Sequence, residues 1–238
     1  MSRTLQPALA DLLAYLGELG YNDLYLKPRR AAAPSAGAAA ERAGLKAESA
    51  GLTAESAELA ALAGAVAGCT RCRLAEGRHR VVFGAGNPKA ELMFVGEGPG
   101  AEEDRQGLPF VGAAGELLTR IIQAMEMTRE EVYIANVVKC RPPGNREPQP
   151  DEVAACRGYL DRQIALVRPR AIVALGKTAA LTLLGTDAPI GRLRGQWFRV
   201  QEIPTLVTYH PAALLRNPAL KRPTWEDVQQ VRDFLRAG

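Results

Sequence analysis

Four cysteines stand in this chain of 238 residues, at positions 69, 72, 140 and 156, and they constrain its fold more than any other residue type. If they act together, three separated stretches of backbone must meet. One turn can aim both thiols of Cys69-Thr-Arg-Cys72 at a single centre, but fifteen residues separate Cys140 from Cys156. A structural zinc ribbon uses a second pair about as tight as the first. A four-cysteine iron–sulfur cluster, held from separate segments, accepts the looser pair. The spacing therefore points first to a cluster, with a zinc ion or disulfides as the other readings. The opening Met1-Ser-Arg-Thr4 lacks an apolar export run and no stretch is long enough to span a bilayer, so a reducing cytoplasm is expected, where disulfides are rare.

Hydropathy divides the chain into an extension and a domain. Leu5, Leu9, Leu12, Leu13, Leu16 and Leu19 follow a helical period, which predicts an amphipathic helix over 4–20 within an N-terminal unit 1–27. Residues 28–42 turn to Lys, Pro, Arg, Ala, Ser and Gly, too polar and small to offset chain entropy by burial, and read as a tether. A duplicated Ala-Gly-Leu-x-Ala-Glu-Ser follows at 43–49 and 50–56; two copies do not make a coiled coil, and 28–56 is taken as one Ala-rich linker. The domain is expected over 57–238. The net charge of +4 allows an anionic partner, and the stretch His210–Arg222 carries Arg216, Lys221 and Arg222 with no acid.

From residue 81 the pattern is β/α. Apolar runs at 91–95, 132–138, 171–175 and 205–208 alternate with helical stretches near 113–126, 151–167, 177–184 and 224–236. That predicts a three-layer α/β/α domain around a mostly parallel four-stranded sheet. Ligands in such folds gather beyond the carboxyl ends of the strands.

Three loops at those ends carry unusual residues. Gly96-Glu97-Gly98-Pro99-Gly100 resembles a dinucleotide fingerprint only superficially, because Ala101 takes the third small position and Glu102, Glu103 and Asp104 follow where a pyrophosphate would sit. Gly176-Lys177-Thr178 lacks the first glycine of a phosphate loop and reads as a helix start. A glycine-rich turn with Glu97 can instead hold a small neutral ring and a water against a carboxylate. Asn136, an amide inside an apolar run, has the donor and acceptor that match a pyrimidine edge, or else is a satisfied core amide. His210-Pro211 and Phe110, within Gly107-Leu-Pro-Phe-Val-Gly112, are open to structural readings of the same kind.

Together these segments resemble one family closely. Gly-Glu-Gly-Pro-Gly with Glu-Glu-Asp, Gly-x-Pro-Phe-Val-Gly, Asn-Val-Val-Lys-Cys-Arg-Pro-Pro-Gly-Asn-Arg, the next Cys fifteen residues on, and His-Pro-Ala-Ala-Leu-Leu-Arg are similar, in order over about 57–237, to the iron–sulfur type of uracil-DNA glycosylase, family 4. The resemblance implies removal of uracil from DNA by hydrolysis of the N-glycosidic bond. It places the ligands of a structural [4Fe-4S] cluster on Cys69, Cys72, Cys140 and Cys156. It places the uracil pocket on Glu97, Gly98, Phe110 stacking on the base, Asn136 reading its edge and His210 facing the carbonyl beside the scissile bond, with Glu103 a further polar candidate.

The chemistry fits that set. Bond cleavage builds negative charge on the departing base and positive charge on the sugar, so a donor is needed at the base oxygen and a carboxylate or held water below the sugar. His210 suits the donor, and Glu97, with Glu103 as rival, suits the water. Cytosine would bring an amine where Asn136 meets a carbonyl, and thymine a methyl against the wall. Reaching the base requires flipping it from the stack. Leu214 or Leu215 is expected to insert as a wedge, with Arg216, Lys221 and Arg222 on phosphates, and the loop Arg141–Arg146 as a further DNA contact. A covalently trapping relative would need a nucleophilic His near 139–146, and none is there. A non-catalytic iron–sulfur protein that binds nucleic acid is the remaining alternative. A monomer in the cytoplasm, associated with the nucleoid and meeting a replication or repair protein through its N-terminal extension, completes the expectation.

Overall fold

The computed structural model describes residues 56–237. The helix expected at 4–20, the tether and nearly all of the duplicated segment lie outside the described residues.

Runs of Val, Ile, Leu and Ala that no polar residue interrupts must be covered on both faces, and they form the centre of the sheet. Its strands are β1 (Ala85–Gly86), β2 (Leu92–Gly96), β3 (Tyr133–Asn136), β4 (Ala171–Leu175), β5 (Trp197–Val200) and β6 (Ile203–Thr208). Their order is β1-β3-β2-β4-β6-β5. The four central strands are parallel and are the four predicted from sequence. The sheet nevertheless has six strands, not four, because short antiparallel strands close both edges. β1 is only two residues long, and β5 keeps half of its side chains exposed, so neither left an apolar run to find.

Alternation along each strand divides the core in two. Met93, Val95, Ala135, Ile172, Ala174 and Val207 pack with Leu160 and Ile164 of the helix Pro150–Val167 and with Leu62 and Val66 of the helix over 56–67. Leu92, Phe94, Ile134, Val173 and Leu206 pack with Leu118 and Ile122 of the helix Ala113–Ala124 and with Trp225, Val228 and Val231 of the helix Lys221–Arg236. Each face of the sheet thus has its own cluster.

Parallel strands deliver their carboxyl ends to one edge. β3 follows β2 on one side and β4 lies on the other, so the chain reverses direction across the sheet at β2, and such a reversal opens a crevice. Register sets Gly96 beside Asn136 and Leu175 beside Thr208. Along the rim the order is therefore Asn136, Glu97, the start of the helix Lys177–Leu184, and His210.

Candidate active site

An open cavity of about 560 Å³ occupies that crevice, lined by Glu97, Gly98, Glu103, Phe110, Asn136 and His210 among others. It is of the size that takes a nucleobase with its sugar.

Asn136 is 1% exposed, and its Oδ1 meets no hydrogen-bond partner among the described residues. A sealed acceptor without a partner costs about 1–3 kcal/mol, which a donor brought by a ligand would offset. Its position depends on Gly96. A Cβ at Gly96 would lie 2.5 Å from Asn136 Oδ1 and 2.5 Å from the ring of Phe110. Phe110 itself has φ 52°, the left-handed region that a bulky side chain avoids. Arg129 holds this turn from behind, donating to the carbonyls of Pro109 at 2.8 Å and Phe110 at 3.0 Å.

His210 caps the short helix Pro211–Arg216. Its Nδ1 accepts from the Ala212 amide at 3.1 Å, so in the neutral ring the proton is on Nε2. Burial pushes its pKa down to about 4, with Arg216 adding to the effect and Glu103 opposing it. The ring is thus a neutral donor, packed 5.5 Å from Phe110 between centroids. Gly176, at φ 88°, makes room for it, since a Cβ there would come 2.8 Å from His210 Cβ.

The two candidate carboxylates differ in what already binds them. Glu103 Oε1 accepts from the amides of Val111 and Gly112 at 2.9 Å each, and Oε2 from Gly100 at 3.1 Å, so it ties the first loop to the Phe110 loop. Glu97 has one partner, the Thr178 hydroxyl, which donates to Oε2. Burial raises the Glu97 pKa above the ordinary carboxylate value, and the Thr178 bond opposes that rise.

The wedge candidates separate completely. Leu214 is 0% exposed and belongs to the core beside the helix Ala113–Ala124, which removes it as a DNA contact. Leu215, next in the helix, is 46% exposed. Arg216 is exposed at the cavity rim, and Lys221 is partly buried at the first turn of the last helix. In the loop after Cys140, Arg146 is committed to the buried Glu152 by bonds of 2.7 and 2.8 Å, whereas Arg141 bonds Asn145 on the surface.

The four cysteines line a second, smaller cavity with Arg78 and Lys139. All four thiols are free, none paired in a disulfide. Among the described residues no three His, Cys, Asp or Glu side chains gather as they would about one metal ion. The four cysteines share the lining of one space. Arg78 donates to Cys140 Sγ at 3.3 Å and to the Cys69 carbonyl at 2.6 Å. Burial pushes the Cys156 thiol up to about 11 and raises Cys140, while Lys139 and Arg78 respectively pull the other way. Two cations facing four thiols suit an anionic group. Arg73 ties the first cysteine pair to the helix of Cys156 through Asp151 at 2.8 Å and Glu152 at 3.4 Å.

Sequence reasoning missed Thr178, Arg129, Arg78, Lys139 and Gln163. Only Lys139 left a signal, a lysine directly continuing the apolar run 132–138.

Comparison with known proteins places the chain in a family. A family model, the Uracil DNA glycosylase superfamily, matches residues 83–229. A type-4 uracil-DNA glycosylase of Sulfurisphaera tokodaii is 46% identical over 178 residues, 71% of this chain and 81% of its own length. One from Thermotoga maritima is 45% identical over 174 residues, 71% of this chain and 90% of its own. A type-5 uracil-DNA glycosylase of Pyrobaculum aerophilum is more distant, at 33% over 164 residues.

Proposed function

The chain belongs to the uracil DNA glycosylase superfamily, alongside its type-4 members, and from that premise we propose how its residues divide the work of excision. The protein is an enzyme that removes uracil from DNA, a step in DNA repair. One observation carries the assignment of the cavity. A buried acceptor without a partner, Asn136 Oδ1, shares the cavity with a neutral imidazole whose Nε2–H is free to donate.

In this reading the uracil edge meets Asn136, its N3–H supplying the donor that Oδ1 lacks, and the amide N–H₂ donating to O4. Phe110 stacks on the base, and Gly98 lets the backbone approach it. As the C1′–N1 bond breaks, its electron pair leaves with uracil and charge spreads to O2, where His210 donates. A hydrogen bond from a neutral ring needs no proton transfer, so the low His210 pKa favours this role. Glu97 orients the water that adds to C1′ and takes its proton, its raised pKa making it the stronger base. Glu103, occupied by three amides, braces the loops. Leu215 fills the space the base leaves, and Arg216 and Lys221 hold phosphates.

Cys69, Cys72, Cys140 and Cys156 hold a [4Fe-4S] cluster, with Arg78 and Lys139 offsetting its charge. The cluster, when bound, links three chain segments and takes no part in bond cleavage. We read the two core clusters as the outer seams of a three-layer α/β/α domain over 57–238, with 1–27 and 28–56 as appendage and linker. No helix among the described residues is long and apolar enough to cross a membrane. A cytoplasmic monomer working on the nucleoid, with the extension meeting a repair or replication partner, is the setting we infer.

The test uses protein purified without oxygen and end-labelled DNA bearing one uracil, followed by alkali. Wild type should cut only at uracil, and Asn136→Ala should lose excision by about 10²-fold or more with its visible absorbance retained. Full excision by Asn136→Ala would remove the assignment.

A further inference from the structure

Lys139 is the least expected residue in the domain. It is 1% exposed, although a lysine is almost never buried without partners. An ammonium has three N–H groups to place. One goes to the main-chain carbonyl of Asn136 at 2.7 Å, and a second to Gln163 Oε1. Gln163 is buried too, and its Nε2 donates to the Phe83 carbonyl at 2.9 Å and the Tyr133 hydroxyl at 3.1 Å, so it is a fixed anchor. Lys139 also lines the cysteine cavity, and its charge acts on Cys156. Its two hydrogen-bond acceptors are neutral. The ionisable group that acts on it is Cys156.

The bond to Asn136 falls where β3 ends. The next amides already bond across to β2, Val137 to the Gly96 carbonyl at 2.9 Å and Val138 to that of Glu97 at 3.1 Å. A clamp on the Asn136 carbonyl restrains the backbone at this residue, and the missing Cβ of Gly96 leaves the room its side-chain oxygen occupies. We propose that Lys139 is the positioning residue that ties Asn136 to the cysteine cavity, so that one buried side chain joins the centre that holds the cluster to the amide that selects the base. This rests on the assignment of Asn136 given above.

The test measures affinity of the cluster-loaded protein for a single-stranded oligonucleotide carrying 2′-fluoro-2′-deoxyuridine, which resists cleavage, and for the same sequence with cytosine at that position. Iron per chain is counted in every preparation. Lys139→Met should lower the uracil-over-cytosine preference about tenfold, the worth of one charge-assisted bond, with cytosine affinity unchanged. Gln163→Leu, which frees the far anchor without touching the cysteine cavity, should lower it in the same direction with iron retained. Added to Asn136→Ala, either change should cost less than about twofold more, because both act through that amide. A general loss of structure would weaken both oligonucleotides alike. Unchanged preference in Gln163→Leu, or losses that multiply in full with Asn136→Ala, would overturn the proposal, and Gln163→Leu decides if Lys139→Met sheds its iron. An Asn136→Ala protein that still prefers uracil would instead show that the assignment beneath it is wrong.

Discussion

The two cavities of this protein are built on opposite terms. In the cysteine cavity the surrounding donors are already committed, Arg78 to Cys140 and to the Cys69 carbonyl, Lys139 to Asn136 and Gln163. In the base cavity, among the described residues, an acceptor has no partner, a neutral histidine is bonded through Nδ1, and one carboxylate accepts from a single hydroxyl. The first suits a resident and the second a visitor. A site that must release what it binds is recognised by what it leaves unsatisfied.

Variants that strike one cavity alone break or sharpen this contrast. The largest effect belongs to Cys156→Ser, which should lose the visible absorbance and much of the thermal stability, since a structural metal centre contributes on the order of 10 kcal/mol to folding; melting followed by circular dichroism reads it. His210→Ala should spare absorbance and melting while kcat falls about 10²–10³-fold, measured in single turnover. Gly96→Ala forces a methyl against Asn136 and Phe110, and should reduce kcat/KM for uracil DNA by about 10–100-fold with iron unchanged. The pH profile comes next. With Glu97 as the proposed base, excision would need it ionised, so the rate should fall as pH falls through its raised pKa, at higher pH than for an exposed glutamate. His210, neutral down to about pH 4, should add no limb near ~6.5, where a free imidazole titrates. Glu97→Gln should flatten the acid limb. Smallest, Leu215→Ala should slow excision from duplex DNA by about three- to tenfold and from single strands by less than about twofold, because only the duplex has a stack to hold open.

The central sheet was legible because parallel strands buried on both faces write uninterrupted apolar runs, and 91–95 and 171–175 match β2 and β4 to within a residue. The edges were not, since a two-residue strand and a half-exposed one carry no such run. The four cysteines were legible through rarity alone. Of their cationic neighbours, Arg78 looks like a surface charge until burial is known, and Lys139 shows only as a lysine continuing an apolar run. Leu214 and Leu215 are adjacent and chemically identical, yet about 100° apart around a helix, so only the packing of that helix could say which one faces solvent. Glu97 and Glu103 differ in the amides that reach them, which is a property of loop shape and not of residue type.

The unmet acceptor at Asn136 also sets a tempo. On the proposed assignment, uracil freed from its sugar keeps the same N3–H and would go on filling that place, which gives the product reason to linger. Departure of the severed base, and not its severing, would then pace successive rounds of repair.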